Sequence, residues 1–226
     1  MTKYYSVAID GPSGAGKSTL AKMCAEKLGF LYVDTGAIYR SVGLAVKNAG
    51  LASSDDAAVA KLLKSIKISM NYDTDGLQRM FLNGLDVTDE IRRPEISIYA
   101  SDVSAIPEVR SFLLEMQRNL ALENNIIMDG RDIGTVVLPY ADVKIFLTAD
   151  ATERARRRYD ELLLRGISAN YDEVLKDIEY RDRNDSGRAV APLRPAEGAI
   201  ILDTTGNSLF ESFDIICKII RENIPI

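Results

Sequence analysis

Eight consecutive residues early in the chain have the types and spacing needed to bind phosphate. Residues 11–18, GPSGAGKS, fit the pattern G-x-x-x-x-G-K-S/T. Glycines allow backbone N–H groups to approach phosphate oxygens, and a helix that begins at such a loop adds its positive dipole end. Lys17 can reach the β- and γ-phosphates of a nucleoside triphosphate, and the Ser18 hydroxyl can bind Mg²⁺. The residues predicted to contact ATP are Gly11, Pro12, Ser13, Gly14, Ala15, Gly16, Lys17, Ser18 and Thr19.

The structural alternative for residues 11–18 is a glycine-rich turn with an exposed lysine. The apolar run before the loop and the helical pattern after it favour nucleotide binding instead. Guanine-specific switches contain the segment N-K-x-D, which this sequence lacks. With 226 residues the chain is too small for a motor, so a small phosphotransferase is the leading class.

Two further polar segments follow predicted strands. Residues 34–40, DTGAIYR, come after an apolar run at 30–33, and residues 129–137, DGRDIGTVV, come after one at 126–128. In an open parallel sheet, ligands bind beyond the carboxyl ends of the strands, so both segments and the phosphate loop leave the sheet at one edge. The side chains expected to converge there are Thr35, Tyr39, Arg40, Arg131 and Asp132.

Each of these residues also has a structural alternative. The two arginines can form surface ion pairs, Asp132 can pair with Arg131 or cap a turn, and Tyr39 can pack at the edge of the core. Asp34 and Asp129 can be plain turn residues or can orient water bound to Mg²⁺, and the sequence leaves both possibilities open.

Two arginine-rich stretches occur later in the chain. A predicted helix at 153–164 carries arginines over 154–158, and a second cluster occupies 181–188. Most of the first stretch is expected to be a solvated helix face. RNA binding is the alternative, but the neighbouring acids Glu153, Asp160 and Glu161 dilute the positive charge.

Composition excludes several kinds of chemistry. The chain has no histidine, which removes Ser-His-Asp triads, Cys-His pairs and histidine-bound metals. Its net charge of −5 disfavours nucleic acid as the main partner. The two cysteines, Cys24 and Cys217, fall among apolar residues and are expected to be buried free thiols in a reducing compartment. No signal peptide and no membrane-spanning stretch is expected, so we predict a cytoplasmic protein.

The elements that must position these residues alternate along the chain. Short apolar runs predict strands at 4–9, 30–33, 126–128, 143–147 and 199–202. Helical periodicity predicts helices at 16–28, 38–48, 55–65 with Ser53 or Ser54 as the cap, 107–120, 153–164 and 209–220. The expected apolar faces are Val109, Phe112, Leu113, Met116 and Leu120 in one helix, and Leu209, Phe213, Ile216 and Ile220 in the last. Such alternation favours an α/β fold with a parallel sheet covered on both sides.

Residues 66–88 break this rhythm. Alternating apolar residues are interrupted by Asp75-Gly76 and Asn83-Gly84, pairs that are preferred in tight hairpin turns with positive φ at both positions. The segment therefore predicts a three-stranded antiparallel insert.

Four motifs together resemble one family. GPSGAGKS, DTGAIYR, DGRDIGTVV and RDRNDSGRAVAPL, in this order and spacing, closely resemble the bacterial-type cytidylate kinases, which are P-loop nucleoside monophosphate kinases. The resemblance implies transfer of the γ-phosphoryl group of ATP to CMP or dCMP with Mg²⁺. It also implies a three-layer P-loop fold with helices on both faces of a parallel sheet. The implied organisation is a single domain over 1–226, with a monophosphate-binding insert at about 66–93 and a helical lid at about 150–188.

The resemblance also implies roles for individual residues. Cytosine would be bound by Thr35, Ser101, Arg110 and Asp132; the acceptor would further contact Tyr39, Arg40, Gly130, Arg131, Arg181 and Asp185. Lys17, Arg131, Arg181 and Arg188 would be catalytic, and Arg157 would contact ATP, with Arg158 as a further lid arginine. Ser18 stands where some relatives have glycine, which leaves its direct bond to the metal open.

Elementary chemistry agrees with a cytosine acceptor. Cytosine presents an amino donor at N4, which a carboxylate such as Asp132 can accept, whereas uracil presents a carbonyl oxygen. Arg110 can donate to N3 or O2 of cytosine, while N3 of uracil carries a proton.

Two rival functions remain at this point. One is a P-loop kinase of another small acceptor, such as shikimate or dephospho-coenzyme A; the other is a nucleotide-dependent RNA-binding or regulatory module. The sequence favours a monomer without nucleic-acid or membrane partners.

Overall fold

A computed structural model of the chain describes residues 3–225. Its strands are β1 (Ser6–Asp10), β2 (Leu31–Asp34), β3 (Ile68–Tyr72), β4 (Gln78–Leu82), β5 (Leu85–Asp86), β6 (Ile126–Gly130), β7 (Val143–Thr148) and β8 (Ile200–Asp203). Its α-helices are α1 (Lys17–Leu28), α2 (Thr35–Asn48), α3 (Asp56–Leu63), α4 (Pro94–Val103), α5 (Pro107–Glu123), α6 (Ala151–Leu164), α7 (Tyr171–Gly187) and α8 (Leu209–Asn223). Two shorter helical turns occur at Glu90–Arg92 and Ile133–Val137.

The predicted parallel sheet is confirmed. Its five strands have the order β2-β6-β1-β7-β8, with β1 paired in parallel to both β6 and β7. All five residues of β6 are buried, as expected for a central strand with both faces covered. Each of the five predicted strands ends one or two residues early, because polar residues such as Asp10, Asp34 and Asp129 continue the strand past the apolar run. The strands predicted at 4–9, 30–33 and 199–202 also begin one or two residues early.

The described chain divides into two compact units. The core unit contains the residues up to Tyr32 and those from Leu120 onward, and the second unit is Val33–Asn119.

In the core unit, α1 and α8 share one hydrophobic cluster with β1, β6 and β7. Cys24 of α1 and Cys217 of α8 are both buried free thiols there, with their Sγ atoms 3.5 Å apart, as the sequence predicted. Ile216 and Ile220 face this cluster, but Leu209 is 45% exposed because it lies in the first turn of α8, beyond the packed surface.

The core unit also contains the two helices of the predicted lid. Helices α6 and α7 pack through a separate cluster formed by Ala155, Leu162, Val174 and Ile178. Because this cluster is small and distinct from the one beneath the sheet, α6 and α7 form a helical pair of their own within the unit.

The second unit contains the predicted antiparallel insert, which is confirmed as the sheet β3-β4-β5. Asn83 and Gly84 both have positive φ, 51° and 84°, as a two-residue turn requires. The other turn differs from its prediction, since only Gly76 has positive φ and the Asp73 carboxylate accepts the N–H groups of Asp75 and Leu77.

Two details of the helices in the second unit also differ from the sequence prediction. Asp55, and not Ser53 or Ser54, is the N-cap of α3, because its carboxylate accepts the N–H of Ala58. Phe112 of α5 is 39% exposed, whereas Val109 and Leu113 are fully buried, so the buried stripe of this helix is narrower than predicted.

Among residues 3–225, no helix is both long enough and apolar enough to cross a membrane.

Helices α2 and α4 approach closely at Gly43, which generates a stability prediction. A Cβ atom at Gly43 would lie 2.9 Å from the backbone N of Ala100. Gly43→Ala should therefore lower the free energy of unfolding by about 1–3 kcal/mol, although alanine favours a helix interior.

The matched control is Gly187→Ala in α7, where nothing lies within 4 Å of the added methyl group. This control should be neutral or slightly stabilising. Urea denaturation of both variants measures the difference, and a Gly43→Ala protein as stable as the wild type would contradict the close packing.

Candidate active site

The phosphate loop, residues 11–18, joins β1 to α1 in a conformation that glycine makes possible. Gly11 has φ +148°, and a Cβ atom there would lie 1.9 Å from the carbonyl oxygen of Leu147. Gly14 has φ +75°, and its Cβ would lie 2.9 Å from the carbonyl oxygen of Arg154. The backbone of the loop therefore packs against β7 and α6 at distances that leave no room for side chains at these two positions.

Lys17 is the first residue of α1 and is 5% exposed. Its Nζ donates a hydrogen bond to the carbonyl oxygen of Pro12 at 2.7 Å. Burial lowers the pKa of Lys17, and the nearby positive charge of Arg131 lowers it further, while Asp129 and Asp185 oppose the shift. The loop thus holds a buried amine among carboxylates at a helix N-terminus.

Ser18 follows Lys17 and is exposed, as is Thr19. The Ser18 hydroxyl donates to one oxygen of Asp129 at 2.8 Å, and the Tyr32 hydroxyl donates to the other at 2.9 Å. Asp129 lies inside β6 and its carboxylate accepts both hydroxyls, so it is not a plain turn residue. Tyr32 was not singled out from the sequence, because an aromatic residue in a strand carries no sign of this contact.

Asp10, the last residue of β1, is a second residue that sequence reasoning missed. It is buried, and its two carboxylate oxygens accept the N–H groups of Ile133 and Gly134 at 2.8 and 2.7 Å. Asp10 thereby fixes the segment that follows Arg131 and Asp132. The available sequence signal was a lone acid at the end of an otherwise apolar strand.

The predicted residues of the core unit cluster around Arg131. Its Nε donates to Asp185 at 2.7 Å, and its Nη1 lies 3.4 Å from the carbonyl oxygen of Gly130. Burial opposes ionisation of Asp185, but the charges of Arg131 and Arg188 outweigh it and hold the pKa of Asp185 below its usual range. Arg188 is buried and donates from Nε to the carbonyl oxygen of Asp185.

Two more predicted residues belong to this part of the chain. Asp132 is 3% exposed, and Arg181 of α7 is half-buried. The negative charge of Asp132 helps to raise the pKa of Asp10, which places the two carboxylates near each other.

The second unit brings together another group of predicted residues. Asp34 caps α2 by accepting the N–H of Ala37 at 2.8 Å, and it also pairs with Arg40 at 2.7 Å. Burial opposes ionisation of Asp34, but Arg40 and the Ala37 N–H outweigh it and lower its pKa. The guanidinium of Arg110 lies 5.7 Å from the ring centre of Tyr39, close enough for a cation–π contact.

Arg110 also donates to the carbonyl oxygen of Ser104 at 3.0 Å. Thr35, Ser101 and Arg110 are all buried in this unit, at 3%, 6% and 8% exposure. Their hydroxyl and guanidinium groups are thus held inside the unit, away from solvent.

The arginines of α6 differ in exposure. Arg156 and its partner Asp160 are exposed, as predicted for a solvated helix face. Arg154 contradicts that prediction, since it is 5% exposed and binds backbone and carboxylate oxygens. Arg157 is partly buried and donates to the carbonyl and hydroxyl oxygens of Thr204. Arg158 is partly buried and pairs with Glu161.

Comparison with known proteins places this arrangement in a family. A family model described as cytidylate kinase matches residues 7–222. The chain belongs to the cytidylate kinase family. The match includes the phosphate loop, the polar segments 34–40 and 129–137 and the arginine-rich helices, and it favours this family over kinases of other small acceptors.

Curated relatives agree with this assignment. A cytidylate kinase of Caldicellulosiruptor bescii is 51% identical over 92% of this chain and 92% of its own length. One from Leuconostoc mesenteroides is 48% identical over 97% of this chain and 98% of its own length. Among solved structures, an uncharacterized protein from Eubacterium ventriosum has a TM-score of 0.53 and 12% identity over 97% of this chain and 99% of that chain, which shows a shared fold alone.

The environment of Asp10 predicts a pH dependence of stability. Burial raises the pKa of Asp10 from 3.8 to about 6, although the N–H groups of Gly134 and Ile133 lower it in part. The folded protein therefore holds a proton that the unfolded chain releases between these two values. Relative to Asp10→Asn, the wild type should lose about 2–3 kcal/mol of unfolding free energy as pH rises from 4 to 7.

Urea denaturation of both proteins at several pH values measures this difference. Titratable groups other than Asp10 affect both proteins nearly equally, so their contributions cancel. If the stability of the wild type relative to Asp10→Asn stays constant from pH 4 to 7, Asp10 ionises in the fold as easily as in water, and if it rises, Asp10 ionises more easily than in water. Either result would contradict the prediction.

Proposed function

We propose that the chain transfers the γ-phosphoryl group of ATP to CMP or dCMP, giving CDP or dCDP and ADP. The observation that carries this proposal is the family match over residues 7–222, which includes the phosphate loop and the polar segments 34–40 and 129–137. The absence of histidine fits the reaction, because a phosphate monoester is mostly a dianion at neutral pH and can attack without a general base.

The donor nucleotide is assigned to the phosphate loop. The backbone of residues 11–18 and the N-terminus of α1 would bind the phosphates, and Lys17 would exchange its bond to Pro12 for one to the β- and γ-phosphates. Arg157 would contact ATP from α6. In the structure its guanidinium donates to Thr204 and pairs with Glu153, so ATP would share or replace these partners.

Residues of the core unit fit a magnesium ion that arrives with ATP. Mg²⁺ prefers oxygen ligands and usually combines one or two protein groups with substrate phosphates. The Ser18 hydroxyl and the Asp129 carboxylate, 2.8 Å apart, are such groups. Among residues 3–225 no group of three or more His, Cys, Asp or Glu side chains is arranged to hold a metal ion. When bound, the ion would neutralise charge on the transferring phosphoryl group.

The acceptor phosphate is assigned to Arg40 and Arg131, with Tyr39, Gly130, Arg181 and Asp185 as further contacts. In the structure Arg40 and Arg131 are each paired with a carboxylate, Asp34 and Asp185, at 2.7 Å. A guanidinium binds carboxylates and phosphates with the same planar set of donors, so an acceptor phosphate would share or replace these two carboxylate partners. Arg188 would add positive charge as γ-phosphoryl transfer proceeds.

Cytosine is assigned to Thr35, Ser101, Arg110 and Asp132. The burial of all four side chains supports this role, since a polar group removed from water discriminates strongly between partners. Asp132 would accept the N4 amino group, and Arg110 would donate to N3 or O2.

The proposed function also implies a domain organisation for the chain. Residues 1–226 form one cytidylate kinase domain, with an insert at about 66–93 and a lid at about 150–188 whose closure excludes water. The protein acts as a monomer in the cytoplasm, without nucleic-acid or membrane partners.

A coupled assay of ADP formation tests the proposed activity. Purified protein is supplied with ATP and, separately, CMP, dCMP, UMP, AMP, shikimate or dephospho-coenzyme A. We expect turnover with CMP and dCMP and much less with the others. Preference for shikimate or dephospho-coenzyme A, or ATP hydrolysis stimulated only by RNA, would support one of the rival functions instead.

Lys17→Ala should reduce kcat about hundredfold or more, because it removes the amine that neutralises the phosphates in the transition state. Thermal unfolding should show an intact fold. The control is Lys22→Ala, an exposed lysine of the same helix, which should leave kcat unchanged. Near-normal turnover of the Lys17 variant would refute its assignment.

Asp132→Ala should lower the ratio of kcat/KM for CMP to that for UMP by about five- to hundredfold, because the N4 acceptor is lost. The comparison is internal, since any general damage to the enzyme affects both acceptors. An unchanged ratio would remove Asp132 from cytosine recognition while leaving the kinase activity itself in place.

A further inference from the structure

Arg154 is buried, although it belongs to an arginine-rich helix whose neighbouring Arg156 is exposed. Three of its guanidinium nitrogens donate to three different segments of the core unit. Nε donates to the carbonyl oxygen of Ala149 at 2.8 Å, and Nη1 donates to the carbonyl oxygen of Ser13 at 2.8 Å. Nη2 donates to the Asp182 carboxylate at 2.6 Å. One side chain thus connects the β7–α6 connection, the phosphate loop and α7.

The phosphate loop also packs directly on these two helices. A Cβ atom at Gly14 would lie 2.9 Å from the carbonyl oxygen of Arg154 and 3.2 Å from Cδ1 of Ile178. Ile178 belongs to the cluster that joins α6 to α7. A displacement of α6 or α7 would therefore also displace the backbone of the phosphate loop.

Helix α7 carries residues that the proposed function assigns to the acceptor. Arg181 is adjacent to Asp182, and Asp185 lies one turn further along and pairs with Arg131. Asp182 therefore connects α7, which bears the proposed acceptor residues, to Arg154, which donates to the phosphate loop.

We propose that Arg154 is a positioning residue, which sets the conformation of the phosphate loop through Ser13 and connects that loop to α7 through Asp182. The inference deepens the proposed function and rests on it for the identity of the nucleotide. Arg154 acts through the loop backbone, so its contribution lies in donor affinity and in the alignment of the loop with α7.

The geometry calls for arginine specifically. A guanidinium presents donors in a rigid planar fork, whereas a lysine ammonium is a compact charge on a flexible stem. Lysine at position 154 keeps the charge but cannot reach Ala149, Ser13 and Asp182 together. Arg154→Lys keeps the positive charge and loses the planar set of donors. It therefore distinguishes a role in positioning the loop from an effect of charge alone.

The experiment measures the Kd of a non-hydrolysable ATP analogue with Mg²⁺ by calorimetry, without acceptor, at a temperature where thermal unfolding shows each protein to be folded. Arg154→Lys should raise this Kd about fivefold or more. The matched control is Arg156→Lys, the same change two residues away on the exposed face of α6, which should stay within twofold of the wild type.

Asp182→Asn is a second variant, for which charge alone and loop positioning predict opposite changes in analogue affinity. Removing a negative charge near the loop would by Coulomb's law tighten the binding of a polyanion. Positioning predicts weaker binding instead, by a factor similar to that of Arg154→Lys. Asp160→Asn, which removes the exposed partner of Arg156, is the matched control and should have no effect.

The double variant Arg154→Lys/Asp182→Asn should bind no more weakly than the more affected single variant, because the two residues act as one unit. The proposal would be overturned if both single variants bind the analogue within twofold of the wild type. It would also be overturned if the fold-change in Kd of the double variant equals the product of the two single fold-changes. Tighter binding by Asp182→Asn would also overturn it.

This titration contains no acceptor, so it separates the inference from the proposed function. If the wild type fails to phosphorylate CMP while Arg154→Lys still weakens analogue binding, the acceptor assignment fails and the role of Arg154 stands. If CMP is phosphorylated and analogue affinity is unchanged in Arg154→Lys and Asp182→Asn, the role of Arg154 is wrong and the kinase assignment stands.

Discussion

Buried positive charge at the start of α1 is the constraint on which the rest of the core unit depends. Lys17 is almost inaccessible, and burial together with Arg131 disfavours its charged form. Carboxylates compensate, since Asp129 and Asp185 both stabilise the ammonium. Arg131 and Arg154 are likewise paired with carboxylates, in ion pairs that are partly buried. The network keeps cations inside the protein, and the proposed function assigns Lys17 and Arg131 among them to phosphates.

This charge arrangement explains how a chain without histidine can transfer a phosphoryl group. Phosphoryl transfer requires little covalent chemistry from the protein and depends on positioning and on neutralising charge. The backbone of the phosphate loop, held by close packing at Gly11 and Gly14, provides the position. Asp10 positions the segment that follows β6 in a similar way, because its two carboxylate oxygens fix the backbone just after Arg131. Ionisation of this buried carboxyl at neutral pH costs stability, because burial raises its pKa to about 6.

Much of this architecture follows from local sequence patterns. Apolar runs, helix periods and the Asn83-Gly84 turn predicted the sheet, the helices and the antiparallel insert, because each depends on residues close in sequence. The phosphate loop was predictable for the same reason. Asp10, Tyr32 and Arg154 were not, since each binds a residue more than ninety positions away in the chain: Ile133, Asp129 and Ser13 respectively. Arg154 was the clearest error, because helix periodicity cannot tell an arginine facing solvent from one that binds a distant loop.

The most direct test of this account is a crystal structure with a non-hydrolysable ATP analogue and Mg²⁺. The account predicts that Nζ of Lys17 leaves the carbonyl oxygen of Pro12 and lies about 2.7–3.2 Å from oxygens of the β- and γ-phosphates, which the backbone N–H groups of residues 14–18 also contact. A structure in which Lys17 remains on Pro12 while the phosphates bind elsewhere would contradict the account.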